Sequence, residues 1–309
     1  MRFASLLLVF ALAASAAVTY TYDSAGRLIK VDYGNGSVLT YTYDNAGNLT
    51  SRTAQSPAGP VIASVRTAFA GPSIAQNTWT QINGTNLVPA STPAAGMIWS
   101  TAPSFASGQL PTQLGPISVT VNGNPAFIYY YCSAATSTVC TTDQINVLTP
   151  LDNTTGPVQV VVTNGSTPSA PFTVTMKPVV PAFLLFSSAG YIVATHLDNS
   201  LLGPTTLYPG SSTPAQPGEQ IVLYGSGFGL PSASLANGSS TQSGSLPSLP
   251  VCTVGVNPAQ VAYAGLAGPG LYQINLIIPS NAPNGDNPVI CTYAGASTPS
   301  GDLITVEHP

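Results

Sequence analysis

The feature that most restricts this chain is that its last third repeats its middle. Ile117-Ser118-Val119-Thr120-Val121-Asn122-Gly123-Asn124-Pro125-Ala126 returns as Val251-Cys252-Thr253-Val254-Gly255-Val256-Asn257-Pro258-Ala259. Asp143-Gln144-Ile145-Asn146-Val147-Leu148-Thr149-Pro150 returns as Tyr272-Gln273-Ile274-Asn275-Leu276-Ile277-Ile278-Pro279. Residues 156–162 are answered by 285–293, and Gln81-Ile82-Asn83-Gly84 by Val222-Leu223-Tyr224-Gly225. Order and spacing agree throughout, so the chain holds two tandem copies of one domain, each of about a hundred residues. Within each copy, short runs that alternate apolar and polar residues are separated by Asn-Gly and Gly-Pro turns. That is the pattern of antiparallel strands burying one face of each sheet.

The ends of the chain and its cysteines constrain its surroundings. Met1-Arg2 precedes an apolar run from Phe3 to Ala14 and then Ala14-Ser15-Ala16, the form of a secretory signal (residues 1–16) cut after Ala16. The run is too short to cross a hydrocarbon core, so no stable membrane span is expected after cleavage. Export makes the four cysteines a disulfide question. Cys132 and Cys140 flank a short polar loop, and pairing them leaves Cys252 with Cys291, each pair inside one copy. The repeat alignment sets Cys252 at the place of Val119 and Cys291 at that of Val160, on the inward-facing set, so the second copy is expected to bury a disulfide in place of two valines. A metal site is disfavoured, because there is no Cys-x-x-Cys and neither His196 nor His308 lies near a cysteine in sequence. Six Lys and Arg against ten Asp and Glu supply no basic stripe for a phosphate backbone, so no nucleic-acid partner is expected.

Two resemblances sharpen the fold. Pro217-Gly218-Glu219-Gln220-Ile221-Val222-Leu223-Tyr224-Gly225-Ser226-Gly227-Phe228-Gly229 resembles the opening strand of an IPT/TIG immunoglobulin-like domain. Together with Gly270-Leu271-Tyr272-Gln273-Ile274-Asn275, it is similar to a C-terminal domain found in exported acidobacterial (Solibacter-type) proteins, over residues 61–309. The first copy departs from this by Asn77-Thr78-Trp79 in place of Pro-Gly and by the insertion from Cys132 to Cys140. Upstream, Tyr20-Thr21-Tyr22-Asp23-Ser24-Ala25-Gly26-Arg27-Leu28 and Tyr41-Thr42-Tyr43-Asp44-Asn45-Ala46-Gly47-Asn48-Leu49 resemble YD (RHS-type) repeats, in which Tyr-x-Tyr forms a strand and Asp-x-x-Gly a turn. The organisation these readings imply is two YD repeats at 17–56, a linker at 57–61, a first sandwich at 62–176, a connecting segment at 177–205 and a second sandwich at 206–309. The expected fold class is all-β: two tandem immunoglobulin-like β-sandwiches plus a short N-terminal YD-repeat β segment.

Catalytic chemistry is poorly represented. There is no Gly-x-Ser-x-Gly, no His-Glu-x-x-His and no phosphate-binding loop, and Gly225-x-Gly227 lacks the third glycine and following helix of a dinucleotide site. His308 is penultimate and His196 falls between the copies. From Val61 on, the acids are Asp143, Asp152, Asp198, Glu219, Asp286, Asp302 and Glu307. Asp152 and Asp286 are read as turn residues in equivalent loops, and no calcium-loop spacing occurs. No catalytic residue, cofactor or metal is expected. Trp79, Trp99 and the run Tyr129-Tyr130-Tyr131 offer a platform for a ligand, with Trp99 and Tyr130 the named candidates; in a regular strand, Tyr129 and Tyr131 share one face and Tyr130 takes the other, so at least one face is core.

The sequence therefore reads as a secreted or cell-surface, non-catalytic module with an adhesive, structural or glycan- or protein-binding role. Its expected partner is envelope polysaccharide or a surface protein. Two other readings are an extracellular polysaccharide-acting enzyme or its accessory module, and a fragment of a longer YD-repeat surface protein or toxin.

Overall fold

The structure is a computed structural model that describes residues 18–33, 37–55, 59–186 and 190–308. The expected signal sequence, residues 1–16, lies outside the described residues. The chain forms two compact units, Met1–Ala58 and Gly59–Pro309.

The first unit holds strands β1 (Thr19–Tyr22), β2 (Leu28–Asp32), β3 (Val38–Tyr43) and β4 (Leu49–Gln55), an antiparallel sheet in chain order. Each repeat turns on its aspartate. Asp23 Oδ1 accepts the backbone N–H groups of Ala25 and Arg27, both at 2.9 Å, and Asp44 Oδ1 accepts that of Asn48 at 2.8 Å. Hydrogen bonds from Arg27 hold the Asp23 carboxyl below the usual carboxylate range. Gly26 and Gly47 close the two turns at φ +80 and +90, where a side chain is strained.

In the second unit, the first copy comprises β5 (Val61–Thr67), β6 (Ser73–Ile74), β7 (Trp79–Thr85), β8 (Met97–Ile98), β9 (Gln113–Leu114), β10 (Ile117–Val121), β11 (Asn124–Pro125), β12 (Phe127–Cys132), β13 (Asp143–Leu148), β14 (Gly156–Asn164), β15 (Thr167–Pro168) and β16 (Phe172–Met176). These make a five-stranded sheet, β5-β7-β13-β12-β8, facing a second built on β11-β10-β14-β16-β6. The alternation seen in the sequence fills the space between the sheets: Ile82, Ile128 and Ile145 from one meet Val119, Val121, Val160 and Val162 from the other, all buried.

The second copy comprises β17 (Ala182–Phe183), β18 (Ala194–His196), β19 (Leu201–Leu202), β20 (Ser212–Thr213), β21 (Gln220–Ser226), β22 (Gly244–Ser245), β23 (Val251–Val254), β24 (Asn257–Gly268), β25 (Leu271–Ile277), β26 (Gly285–Tyr293), β27 (Ala296–Ser297) and β28 (Leu303–Val306). Its strands join as one twelve-stranded sheet. The long β24 causes this by pairing first with β23 and then with β25. In the first copy, the same path is divided at Ala126 into β11 and β12. The segment 177–205, expected to connect the copies, contributes β17, β18 and β19, of which β17 and β18 pair with β21 as β5 pairs with β7. Residues 184–186 and 191–193 pair with each other between β17 and β18, which splits that edge strand and hides its alternation.

Both disulfides join the expected partners, Cys132 with Cys140 and Cys252 with Cys291. One detail of the register differs. Cys252 pairs across the ladder with Cys291, as Val119 does with Val162, so Cys291 stands at Val162 and not at Val160. The shift is two residues, so the side chain still faces inward.

The two copies pack against each other. Asn77 Nδ2 donates to Gln242 Oε1 at 2.9 Å in a buried contact, the Trp79 backbone N–H donates to Ser226 Oγ at 3.1 Å, and the Leu110 backbone N–H donates to the Gly238 carbonyl at 2.7 Å. Gly270 sits at φ +62, where a Cβ would lie 2.3 Å from Leu148 Cδ1 and 3.2 Å from the Asn77 carbonyl, so any other residue there is strained and must displace the leucine.

Candidate functional site

An apolar groove of about 450 Å³ opens at this junction, lined by Phe69, Trp79, Trp99, Tyr129 and Asn146 of the first copy and by Leu184 and Leu271 of the second. Trp79 begins β7 on its outward set, which continues through Gln81 and Asn83 while Thr80 and Ile82 point inward. Trp99 opens a short helical turn, Trp99–Thr101, that follows β8. Trp79 and Trp99 are tilted at 58° with centroids 5.5 Å apart, and Tyr129 meets both edge to face, 4.9 Å from Trp79 and 4.8 Å from Trp99 at 71° and 82°. Such pairs are individually favourable beyond their buried area, so the cluster is self-supporting. Among the described residues, no charged side chain lines the groove.

The structure brings Trp99 into this groove but not Tyr130. A β-bulge interrupts the β12–β13 register between Ile128 and Tyr130. A bulge inserts an extra residue, so Tyr129 joins the outward face, whereas Tyr131 stays in the core. Tyr130 packs over Gly96, where a Cβ would lie 2.4 Å from its ring. Strict alternation along Tyr129-Tyr130-Tyr131 therefore fails. The second copy carries the matching bulge, in β24 between Val261 and Tyr263. Trp79, which the sequence offers alongside Trp99 and the tyrosine run, also lines the groove, and Trp99 and Tyr129 reach it from separate elements.

A second groove, of about 680 Å³, is lined by His196, Thr213, Glu219, Glu307 and His308 among others. His196 Nδ1 lies 2.5 Å from Glu219 Oε1, and Nε2 lies 3.0 Å from Thr213 Oγ1. This is the order of a hydroxyl–imidazole–carboxylate relay, yet the Thr213 carbonyl also sits 3.1 Å from the same Nε2. The ring thus ties β18 to β20 and to the turn before β21. His308 is engaged elsewhere, with Nε2 2.7 Å from the Ala282 carbonyl. Among the described residues, no group of three or more His, Cys, Asp or Glu could hold a metal ion.

The remaining carboxylates serve turns and core. Asp152 Oδ2 accepts Asn122 Nδ2 at 2.8 Å and Asn124 Nδ2 at 3.2 Å, and bonds from Thr154 and Asn122 hold its pKa down. Asp286 lies within β26, not in an equivalent loop, and accepts Tyr191 Oη and Thr305 Oγ1 at 2.8 and 2.6 Å. Asp302 is buried, and its Oδ2 finds no partner; burial pushes its pKa up to about 6.

Comparison with known proteins gives a match to the RHS repeat family over residues 22–60. No curated protein matches the sequence significantly. Among solved structures, the chain is similar to a Bacteroides ovatus SGBP-B protein from a mixed-linkage glucan utilization locus, in complex with a mixed-linkage heptasaccharide, at 10% identity and a TM-score of 0.34, covering 96% of this chain and 63% of that one. It is also similar to SGBP-B from a xyloglucan utilization locus of Bacteroides uniformis (15% identity, TM-score 0.22, 80% and 49% covered) and to the Yersinia pseudotuberculosis adhesin InvE (10%, 0.21, 80% and 58%). The chain spans less than two thirds of each, and likeness at this level bears on neither ligand nor activity.

Proposed function

We propose that the chain is an exported, surface-located, non-catalytic binding protein whose immunoglobulin-like pair, divided just before β17 (Ala182–Phe183), takes a carbohydrate chain in the Trp79–Trp99–Tyr129 groove. The carrying observation is that groove: Trp79, Trp99 and Tyr129 in mutual ring contact, Phe69 in the same lining, an amide side chain at the wall and no charge among the described lining residues. Aromatic faces accept the C–H faces of sugar rings, and amides exchange hydrogen bonds with hydroxyls, so the lining suits a ligand with both surfaces. A concave site at a domain junction, with few polar groups among apolar ones, is also the usual setting of a ligand pocket. The signal-like N-terminus, two disulfides, RHS repeats and the resemblance to exported acidobacterial domains support placement outside the cell. The expected partner is envelope or environmental polysaccharide. A glycan array probed with the chain and with Trp99→Ala/Tyr129→Ala tests the reading. Binding that the double variant loses, at unchanged secondary structure, is the expected result; binding equal in both would refute it.

A further inference from the structure

The outward face of the five-stranded sheet carries a line of hydrogen bonds that ends in the groove. It begins at Arg66 on β5, whose Nε and Nη2 both donate to Gln81 Oε1, at 3.2 and 2.9 Å. Gln81 Nε2 donates to Gln144 Oε1 at 2.8 Å, and Gln144 Nε2 donates to Asn146 Oδ1 at 2.9 Å. A guanidinium has donors and no acceptor, so it dictates which end of Gln81 faces it, and each amide dictates the next. The order leaves Nδ2 of Asn146, a groove-lining side chain, without a protein acceptor among the described residues.

We propose that Arg66 is a positioning residue that acts through Gln81 and Gln144 to present Asn146 Nδ2 as a donor beside the aromatic rings, and that the ligand is a single uncharged pyranose chain that sets an oxygen against it. This deepens, and rests on, the assignment of the groove to carbohydrate. The lining offers a uronate or sulfate one amide donor and no cation to offset the water it would lose, which favours an uncharged ligand. The rings stand at 58°, 71° and 82° to one another, so they do not form the flat platform that an ordered insoluble polymer face requires. One chain, whose successive rings turn, fits them. The second copy shows the same sheet without the device. Its corresponding row, Thr195–Val222–Asn275–Tyr263, keeps the Gln273 Nε2 to Asn275 Oδ1 bond at 2.8 Å but lacks the arginine and the first glutamine.

The test uses the full chain, titrated with soluble gluco-, manno- and xylo-oligosaccharides, an oligogalacturonate and insoluble cellulose. At least one neutral oligosaccharide is expected to bind, and the acidic one and the solid are not. Asn146→Asp keeps the oxygen that Gln144 needs and removes the donor, so affinity should fall roughly three- to tenfold or more. Arg66→Glu, which can only accept, should reverse every amide in the line and cost about as much from a distance. Arg66→Lys should stay within about twofold, and Arg66→Glu/Asn146→Asp should be no worse than either single change. The Asn146 side-chain amide resonances should move in Arg66→Glu and not in Arg66→Lys, which a merely structural arginine would not produce. If Trp99→Ala abolishes binding while Arg66→Glu and Asn146→Asp bind as the parent does, the positioning role falls and the groove assignment stands. If oligogalacturonate or cellulose binds as tightly as the neutral sugars, the ligand class is overturned. If Trp99→Ala binds as the parent does, both readings fall.

Discussion

The two sandwiches share a ladder down to the position of a β-bulge, yet spend their side chains differently. On the outward row, Asn146 and Tyr130 of the first copy correspond to Asn275 and Tyr263 of the second, while Arg66 and Gln81 give way to Thr195 and Val222. Tyr129, at the bulge, gives way to Ala262. Inside, the relation reverses: the first copy packs Val119 against Val162, and the second cross-links Cys252 to Cys291. Phe172, which packs on the first core, is replaced by Asp302. A sandwich core needs only inward-facing bulk, so its exterior is free to diverge, and here one copy holds the aromatic wall while the other buttresses it.

Exchanging residues between the copies tests this division, and the largest effect should come from the core. Cys252→Val/Cys291→Val gives the second copy the first copy's solution. Opening a cross-link 39 residues apart in sequence should cost up to about 4 kcal/mol by loop entropy, partly recovered by valine packing, and Cys132→Ser/Cys140→Ser, 8 residues apart, about 3 kcal/mol at most. Denaturant unfolding measures both, and a larger loss from the short loop would contradict the assignment. Gly270→Ala, strained and pressed on Leu148, should cost about 1–3 kcal/mol and widen the groove; unchanged stability and unchanged ligand affinity would show that the junction does not shape the site. Tyr129→Ala, the second copy's residue, should lower carbohydrate affinity by about tenfold while costing less stability than the cysteine pair, as calorimetric titration and melting would show.

The smallest effect concerns pH. Burial raises the Asp302 pKa from 3.8 to about 6, so the folded chain holds that proton more tightly than the unfolded one. Its contribution is therefore fully present below about 4 and is lost as pH rises through about 6. Asp302→Asn should leave stability little changed in acid and raise it above pH 6, and an equal difference at both would contradict the burial of a titrating acid.

Much of the fold was legible. Alternation and turns give the strands, and the duplicated Gln-x-Asn and Asn-Pro segments align the copies without any structure. The edge strand of the second copy was not legible, because the pairing of 184–186 with 191–193 cuts it below the length at which period two can be seen. Trp99 could be picked from composition, since aromatic residues are rare on so polar an exterior. The tyrosine run 129–131 could be picked as well, but not which of its rings enters the groove, because a bulge breaks the alternation there and the partnership of Tyr129 with Trp79 depends on strands distant in sequence. The amide line was invisible for the same reason: Arg66, Gln81 and Gln144 lie on three strands.

The most direct measurement follows from a count. The chain has two tryptophans, and both line the groove. Titrating soluble neutral oligosaccharides while following intrinsic tryptophan emission therefore reports on that site alone. A saturable change in emission, whose midpoint matches the calorimetric affinity and which vanishes in Trp99→Ala/Tyr129→Ala, is the predicted result. Carbohydrate binding detected by calorimetry with no change in tryptophan emission would place the ligand elsewhere and contradict the account.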